Sequence, residues 1–445
     1  MTKVVFSFDT EDYVHSCGAD GILRSAKLLK KAGVKGCFQI VAYLAKALKD
    51  WGRDDVIEEL KNNHEIEFHS LMHSQHPTIN EYTDRCDFYG ASKDFRLFED
   101  HGVEIINEIF GVNKFYCAVP PGSSNSYVAH YNYAEMGIPT YAASMIKDKV
   151  HSRPVSCCNI LSLPYNKCLD TYLPKVDEQK LKEMLDTAAE HDVFVFYHHP
   201  QMCMLKDWWD ELNYNGVNTP KEKWVESERL PLEVTEKFYE NFEVLVNLLK
   251  EDPRFEITTF AGIAEAYKSE RTVKVTDIAE ISKQLSEEWF PVTTPDSYCL
   301  SDIFHACREF LNGKTEHICG KVYGFLATPY AITEPVTLKA EDIKKSAKFI
   351  ADDGFIPEHI YVGDKILGPA DWIRAAIEVI SGKDEVEILP GEWQIDLDQF
   401  PSLKNMDFSN IWIHAKSLKD NYLSDRFRLQ TWTIRLPKET KRKVF

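Results

Sequence analysis

The sequence predicts an α/β protein built from parallel β/α units, followed by a smaller and mainly helical C-terminal domain. Short apolar runs alternate with amphipathic stretches through the first half of the chain, which is the pattern that parallel β/α units produce. That alternation fits either a barrel or an open sheet. The length of 445 residues also exceeds what one hydrophobic core usually organises, so we expect two domains.

The strands of the first half are predicted from short, continuous apolar runs, as expected for strands that are buried on both faces. They cover residues 4–8, 36–41, 66–68, 115–118, 140–143, 161–163 and 193–197. Helices are predicted where apolar residues recur at helical spacing, at 21–32, 54–62, 93–109, 178–190 and 236–250. Gly33 directly follows the first of these helices, at the kind of position where helices commonly end.

The alternating pattern stops near Lys268. Residues 269–295 are polar and charged, so we predict a linker there, between a domain at 1–268 and an α-rich domain at 296–445. Within the second domain, helices are predicted at 301–311, 340–352 and 369–380, and extended chain at 360–362, 411–414 and 429–434. The basic end at 438–443 is predicted to be solvated. We interpret this domain as a binding or oligomerisation module, which leaves a homo-oligomer open.

Composition and charge narrow the class of protein. A hydrophobic content of 44% with 27% charged residues is typical of a soluble globular protein. The net charge of −18 argues against nucleic acid or an anionic membrane as the main partner. We find no apolar run of membrane-spanning length, and the N-terminus has no basic n-region or long apolar h-region, so neither a membrane span nor a signal peptide is expected. The eleven cysteines are scattered, so reduced thiols in a cytoplasmic protein are the expectation.

The strongest local signal is a pair of histidines directly after the third predicted strand. His69 and His73 are four residues apart, so a helical turn would place both imidazoles on one face, at a spacing suited to one metal ion. Such a pair alone is weak evidence for a metal site. Its position strengthens it, because loops that follow strands are where β/α folds gather functional residues. His64, just before the strand, is interpreted as a solvated turn residue.

An acidic cluster follows the first predicted strand. Asp9, Glu11 and Asp12 lie within four residues, and they repel one another unless a cation or another positive group lies nearby. An acidic loop alone is usually only solvated. Here the strand before it should be buried, so the carboxylates emerge at the edge of the sheet. Combined with the histidine pair, they supply an oxygen ligand and a base.

Two further strands are followed by residues that suit catalysis. The strand at 193–197 leads into His198 and His199, where a general acid or base would be needed. The strand at 115–118 leads into the turn Pro120-Pro121-Gly122, whose backbone N–H groups could face a developing oxyanion. Read alone, each of these is more often a packed or surface feature.

Taken together, these stretches resemble the polysaccharide deacetylases, the NodB-homology group of carbohydrate esterases (family 4). The segment from His64 through His69-Ser70 to His73 is similar to that family's metal motif, and Phe6-Ser7-Phe8-Asp9 resembles its first motif. The Pro-Pro-Gly turn resembles the third motif and Tyr197-x-His199-Pro200 the last, in the family's order. The resemblance covers about residues 1–265 and implies a distorted (β/α)7-type barrel.

The resemblance also implies a reaction, namely removal of the N-acetyl group from an acetamido-sugar or its conjugate. The implied roles are metal ligands (Glu11, His69 and His73), a base (Asp9), an acid (His199), a backbone oxyanion donor (Gly122) and substrate contacts (Pro121 and Trp208). Asp12 remains an alternative to Glu11, and His198 to His199. Nitrogen ligands favour Zn²⁺, while a mixed nitrogen and oxygen shell also suits Co²⁺, Ni²⁺ or Mn²⁺.

Two positions depart from the family pattern. Val119 stands where the third motif usually has an Arg that pairs with the base. Ala142 stands where a further motif has the Asp that orients the catalytic His. The sequence therefore predicts that the metal ligands and the acid–base pair survive, while two supporting charges are lost.

These departures keep two other functions open beside the deacetylase. One is a hydrolase of a small cyclic or linear amide, as in allantoinase-like relatives of the family. The other is a catalytically inactive carbohydrate-binding protein. In the second domain, residues 347–373 faintly resemble a pseudomurein-binding repeat, whereas a packing or dimerisation module is the simpler interpretation.

Overall fold

The computed structural model describes residues 1–148, 152–293, 295–406 and 412–437, which form two compact units. Among these residues, unit 1 comprises 1–148, 152–154, 161–267 and 412–423. Unit 2 comprises 155–160, 268–293, 295–406 and 424–437. The basic end at 438–443 and the first residue of the predicted extended segment 411–414 lie outside the described residues.

Unit 1 contributes nine strands to one curled sheet, counted over the described residues. In chain order these are β1 (Thr2–Thr10), β2 (Cys37–Ile40), β3 (Glu65–Phe68), β4 (Cys117–Ala118), β5 (Thr140–Ala142), β6 (Ile160–Leu163), β7 (Lys167–Cys168), β8 (Val193–His198) and β9 (Phe255–Thr258). Each of the seven strands predicted from the sequence is present, with small shifts at the ends.

The strand order is β6-β5-β4-β3-β2-β1-β8-β7, and every one of these neighbours is parallel. β9 pairs with the first half of β1, through Thr2 to Val5. Only residues 164–166 separate β6, which pairs with β5, from β7, which pairs with β8. One short segment therefore joins strands at opposite ends of this parallel series, and the predicted distorted β/α barrel is confirmed.

The sheet's interior explains why the strand sequences are apolar. Residues such as Val5, Cys37, Cys117 and Val195 come from different strands and share one core cluster, and each is fully buried. Parallel strands covered on both faces require this kind of continuous apolar sequence. Burial of β1 continues through its last residue, so the polar groups that follow it start from a rigid and fixed position.

Helices alternate with the strands of unit 1, as the sequence predicted. They are α1 (Gly18–Lys31), α2 (Ala42–Asp50), α3 (Asp54–Asn63), α4 (Ile79–Thr83), α5 (Phe88–Phe110), α6 (Tyr127–Glu135), α7 (Glu178–Ala188), α8 (Trp209–Asn213), α9 (Leu232–Glu251) and α10 (Phe260–Ala266). Gly111 ends α5 in the left-handed region at φ 68°, where glycine carries no Cβ penalty. Among the helices of the described residues, none combines the length and apolar composition that crossing a bilayer requires.

Unit 2 is mainly helical, as predicted. Its helices are Ile278–Glu287, Leu300–Leu311, Ala340–Ala347, Pro369–Ile380, Pro401–Lys404 and Leu423–Leu429. Its strands form two-stranded antiparallel pairs: Thr272–Lys274 with Glu316–Ile318, Val336–Lys339 with Glu385–Ile388, and Ile360–Val362 with Lys365–Leu367.

Two predictions made from the sequence differ from the local structure observed in this region. The interval 269–295, predicted as a linker, contains the strand Thr272–Lys274 and the helix Ile278–Glu287, so it is not a structureless connection. The extended chain predicted at 429–434 is wrong. That segment contains the end of a helix and the 3-10 turn Thr431–Thr433, in which Trp432 is fully buried.

Candidate active site

The polar residues singled out in the sequence gather at the carboxyl-terminal ends of the unit 1 strands. β1 is flanked by β2 and β8, with Phe8 in register with Phe38 and with His198. β3 follows on the far side of β2 and leads directly into His69. Because these strands are parallel, their ends lie at one edge of the sheet, where β/α proteins place their sites.

The acidic segment after β1 meets the histidine pair after β3. Oε2 of Glu11 lies 3.0 Å from Nε2 of His73 and 3.3 Å from Nε2 of His69. All three side chains are buried, and their ligand atoms lie within 4.8 Å of one another. One carboxylate and two imidazoles that converge in this way form a three-residue ligand set, the number of protein ligands that catalytic zinc sites use.

The second ring nitrogens of both histidines are already engaged. Nδ1 of His69 donates to the Val119 carbonyl at 3.0 Å. Nδ1 of His73 lies 2.6 Å from Oγ of Ser74, which donates its own proton to Asp210 at 2.6 Å. The His73 ring must therefore donate to Ser74, and both Nε2 atoms are left to bind a metal. Supporting hydrogen bonds of this kind orient metal-ligating histidines.

The carboxylate of Glu11 is oriented in the same way. Its other oxygen, Oε1, accepts hydrogen bonds from Gln201 at 3.1 Å and from the indole of Trp209 at 3.2 Å. Burial alone would raise the pKa of Glu11, but the charge of His73 and the hydrogen bonds from both imidazoles hold that pKa well below its usual value. Glu11 therefore stays ionised, as a metal ligand must. The residues present fit a divalent transition metal.

The local backbone of the histidine pair differs from the prediction. The helical turn expected for His69 to His73 is wrong, because the segment is a loop in which Ser70 (φ 76°) and His73 (φ 52°) are left-handed. The loop is held by hydrogen bonds from Leu71 N to Glu99 at 2.9 Å and from His73 N to Ser70 Oγ at 3.0 Å. The two imidazoles still converge, through loop geometry instead of helical spacing.

Asp9 faces His199 next to the triad. Oδ2 of Asp9 lies 3.5 Å from Nε2 of His199, and Oδ1 accepts a hydrogen bond from the Tyr165 hydroxyl at 2.9 Å. Burial raises the pKa of Asp9, although the nearby His69 and His199 oppose that effect. A carboxylate and an imidazole in this arrangement can serve as a base and an acid on one substrate.

Asp170 orients His199 through two hydrogen bonds, one to its ring and one to its backbone. Its Nδ1 lies 2.7 Å from Oδ2 of Asp170, and its backbone N–H donates to Oδ1 at 2.9 Å. Burial would lower the pKa of His199, but the charge and hydrogen bond of Asp170 raise that pKa well above its usual value. The imidazole is therefore kept protonated, and its Nε2–H points towards Asp9.

The structure separates the alternatives that the sequence left open. Asp12 turns away from the triad, because its carboxylate binds His15 Nδ1 at 2.8 Å and two backbone N–H groups. His198 packs its ring against Phe238, with centroids 4.5 Å apart, and is 1% exposed. Glu11 and His199, not these neighbours, face the common centre.

Of the two supporting charges predicted to be lost, at Val119 and at Ala142, one is supplied by a different residue. Ala142 is buried in the core, as an apolar residue, but Asp170 supplies the carboxylate that orients His199, so the prediction of a missing Asp is wrong. Val119 brings no charge, and the contact to Asp9 comes instead from the neutral hydroxyl of Tyr165. Sequence reasoning missed both residues. No periodic signal marked Asp170, because the strand before it, β7, has only two residues.

The remaining predicted residues lie nearby with different contacts. Pro121 and Gly122 belong to a 3-10 turn after β4, and Gly122 adopts φ 42° against the side chain of Ile413. The Trp208 ring meets His199 edge-on, with centroids 4.7 Å apart. Trp209 is fully buried and does not line a groove. Oxyanion binding by Gly122 and substrate contacts by Pro121 and Trp208 remain predictions.

Comparison with known proteins gives similarity in structure but not in sequence. No family model and no curated protein sequence matches the chain. The fold is similar to that of a polysaccharide deacetylase from Mycobacterium smegmatis, at 15% identity and a TM-score of 0.39, over 60% of this chain and 89% of the other.

Two further solved structures show likeness of the same kind. A PuuE allantoinase matches at 13% identity and a TM-score of 0.40, over 60% of this chain and 90% of its own. A family 4 acetyl xylan esterase from Clostridium thermocellum, in complex with a cobalt ion, matches at 13% identity and a TM-score of 0.34, over 60% and 92%. Since all three TM-scores are below 0.5, the interpretation of the site depends on its own residues.

Proposed function

We propose that this chain is a metal-dependent hydrolase that removes the acetyl group from the nitrogen of an acetamido-sugar or its conjugate. The observation that carries the proposal is the convergence of Glu11, His69 and His73 beside the facing pair Asp9 and His199. A divalent ion held by the three ligands would supply Lewis acidity towards water and the acyl oxygen. The nitrogen ligands favour Zn²⁺ for this role.

Asp9 is assigned the role of general base. Its Oδ1 is occupied by the Tyr165 hydroxyl, which leaves Oδ2 to take a proton from the attacking water. Burial disfavours the charged carboxylate and raises its pKa, so the group is a stronger base than a solvated Asp. The proton passes to Asp9 as the new carbon–oxygen bond forms.

His199 is assigned the role of general acid. The amide nitrogen leaves poorly as an anion, so the departing amine must receive a proton as the carbon–nitrogen bond breaks. Nε2 of His199 carries that proton, because Asp170 occupies Nδ1 and stabilises the protonated ring. The 3.5 Å distance between Nε2 and Asp9 Oδ2 allows both groups to reach one scissile bond.

The test combines metal analysis with acetate release from N-acetylglucosamine oligomers. We expect one tightly bound metal ion for each chain and acetate release that the double variant His69→Ala/His73→Ala loses together with the metal. Activity retained by the metal-free double variant would reject the mechanism. Ring opening of a cyclic amide without acetate release would favour the small-amide hydrolase, and sugar binding without either reaction the inactive binding protein.

A further inference from the structure

A second group of ligand atoms lies behind the ring of His199. Sγ of Cys168 lies 3.2 Å from Oδ2 of Asp170, and the same oxygen lies 2.7 Å from Nδ1 of His199. All three ligand atoms lie within 4.8 Å of one another. This group contains sulfur, whereas the triad of Glu11, His69 and His73 contains only nitrogen and oxygen. The two groups therefore differ in the metals that they should prefer.

The group has the dimensions and the access that a metal ion needs. Zinc binds thiolate sulfur at about 2.3 Å and imidazole nitrogen at about 2.0 Å, so two ligand atoms of one ion lie roughly 3–4 Å apart. The carboxylate of Asp170 is buried, and Cys168 is only half-buried, so an ion can arrive from the thiol side. His199 is shared, with Nε2 facing Asp9 and Nδ1 facing this group.

We propose that Cys168, Asp170 and His199 form a second, inhibitory site for a thiophilic divalent cation such as Cd²⁺ or excess Zn²⁺. The inhibitory part of this proposal rests on the proposed function, and the binding part does not. On binding, the Cys168 thiol and Nδ1 of His199 each release a proton to solvent, and the ion takes the place of both protons. His199 then keeps a proton only on Nε2, where a neutral imidazole holds it too tightly to act as an acid.

A cluster in unit 2 has the same residue types, but its position for a cation is already occupied. Asp302, His317 and Cys319 also bring their ligand atoms within 4.8 Å. However, the Arg435 guanidinium binds both oxygens of Asp302, at 2.7 and 2.6 Å, so a fixed positive charge occupies the place of a cation. The two clusters share their residue types and differ in this charge. Cys319 therefore supplies a matched control for Cys168.

The binding test uses the full chain, with Co²⁺ as a spectroscopic probe. Cobalt bound to a thiolate gives a sulfur-to-metal charge-transfer band in the near ultraviolet, and the nitrogen and oxygen triad cannot give one. We expect the band to appear only after the first equivalent of metal and to be absent from Cys168→Ser. It should remain in Cys319→Ser and in Cys86→Ser, which removes an exposed thiol. A band that survives in Cys168→Ser, or that disappears only in a control, overturns the site.

The inhibition test follows acetate release during titration with Cd²⁺, each variant being compared with its own rate at one equivalent of metal. We expect Cys168→Ser to need at least tenfold more Cd²⁺ for half-inhibition than the wild type or either control. Equal sensitivity of Cys168→Ser and the wild type would overturn the inhibitory role. If no variant releases acetate at all, the proposed function fails, while the cobalt band still decides whether the site exists.

Discussion

Besides the Cys168 thiol, three hydrogen-bond donors of the site contact Asp170. One oxygen serves the His199 ring, and the other serves the His199 backbone N–H and Nδ1 of His198 at 2.5 Å. Burial would raise the pKa of Asp170, but the charge of His199 and the hydrogen bonds from both rings lower it. The residue is thus a permanent negative charge that fixes the direction of the His199 ring. It positions the acid without touching the metal ligands.

Replacing Asp170 by Asn should therefore separate catalysis from metal binding. The amide keeps the size of the side chain but removes the charge that stabilises the protonated His199. Loss of a general acid costs about 10²–10⁴-fold in rate, so we expect kcat to fall within that range. Metal content should stay at the wild-type level. Acetate release measured across pH, together with metal analysis of the same sample, checks both parts.

Asp12→Asn is the matched control, because Asp12 is also buried and also binds a histidine Nδ1, that of His15, at 2.8 Å. It lies outside the triad, so its loss should lower stability and leave turnover nearly unchanged. Equal loss of turnover in both variants would show that Asp170 acts through folding alone.

Glu99 gives a prediction about stability and pH. It is buried in α5, it accepts hydrogen bonds from Leu71 N and the Tyr82 hydroxyl, and burial raises its pKa from 4.5 to about 7. The folded state then holds a proton that the unfolded chain releases above pH 4.5. Its stabilising effect is complete below that pH and is lost as pH rises through about 7.

The variant Glu99→Gln should remove this dependence. A glutamine can accept from Leu71 and donate to Tyr82, and it carries no charge at any pH. A shift of two to three pKa units corresponds to roughly 3 kcal/mol, so relative to the wild type the variant should gain about that much stability between pH 4.5 and 8. Denaturant unfolding across pH measures it. Asp100→Asn, at a half-buried neighbour, is the control, and parallel curves for Glu99→Gln and wild type would contradict the prediction.

At the scale of elements, the approach of α1 to the turn after β8 sets the position of two site residues. A Cβ on Gly21 would lie far inside contact distance of the Pro200 carbonyl oxygen and 3.0 Å from its carbon. That turn, Pro200–Cys203, directly follows His199 and contains Gln201, which donates to Glu11. A backbone carbonyl cannot move aside as a flexible side chain can.

We therefore expect Gly21→Ala to destabilise the protein by about 1–3 kcal/mol, as other overpacking changes do. A loss of stability would be informative, because alanine in a helix interior is otherwise favoured over glycine by about 1 kcal/mol. The displaced turn should also weaken metal retention. Thermal unfolding and metal analysis check the two effects. Gly320→Ala, where a Cβ would meet nothing within 4 Å, should be nearly neutral. A stabilised Gly21→Ala would contradict the close approach.

The strands were predictable because burial on both faces leaves a plain apolar signature, whereas their order in the sheet was not predicted. That signature located Asp9, Glu11 and His199, since each lies at or just beyond the carboxyl end of a strand. The loop holding His69 and His73 was located but misread, because its geometry depends on the left-handed Ser70 and His73 and on a distant Glu99. Local spacing carries no information about such tertiary hydrogen bonds.

Supporting residues were missed for a related reason. Tyr165 and Asp170 flank β7, which has only two residues and gives no periodic signal of its own. The prediction that His64 is a solvated turn residue is wrong, because it is only 8% exposed and accepts a hydrogen bond from Gly36 N at 3.2 Å, and burial lowers its pKa to about 4. Each of these side chains contacts residues that are distant in the sequence, so only the folded structure reveals its contacts.

At the scale of the whole molecule, unit 1 is not continuous in sequence. Residues 412–423 return to it after more than a hundred residues of unit 2. Within unit 1 the returning segment places Trp412 6.3 Å from Trp208, centroid to centroid, and His414 Nε2 3.3 Å from Ser124 Oγ. A boundary drawn from composition near Lys268 cannot predict such a return, because no pattern in residues 412–423 distinguishes it from the chain around it.

Metal binding should be measurable, without any substrate, as an increase in the thermal stability of the whole chain. Glu11, Asp9 and Asp210 bring buried carboxylates to one place in a protein whose net charge is already −18. A cation that binds only the folded state adds about 2.7 kcal/mol when its free concentration is a hundred times its dissociation constant. We therefore expect Zn²⁺ to raise the apparent unfolding temperature of the chelator-treated protein by several degrees. His69→Ala/His73→Ala should abolish the rise, because two of the three ligands are lost, whereas His101→Ala, at an exposed histidine, should preserve it. An equal rise in the double variant would place the bound ion elsewhere and separate the triad from metal binding.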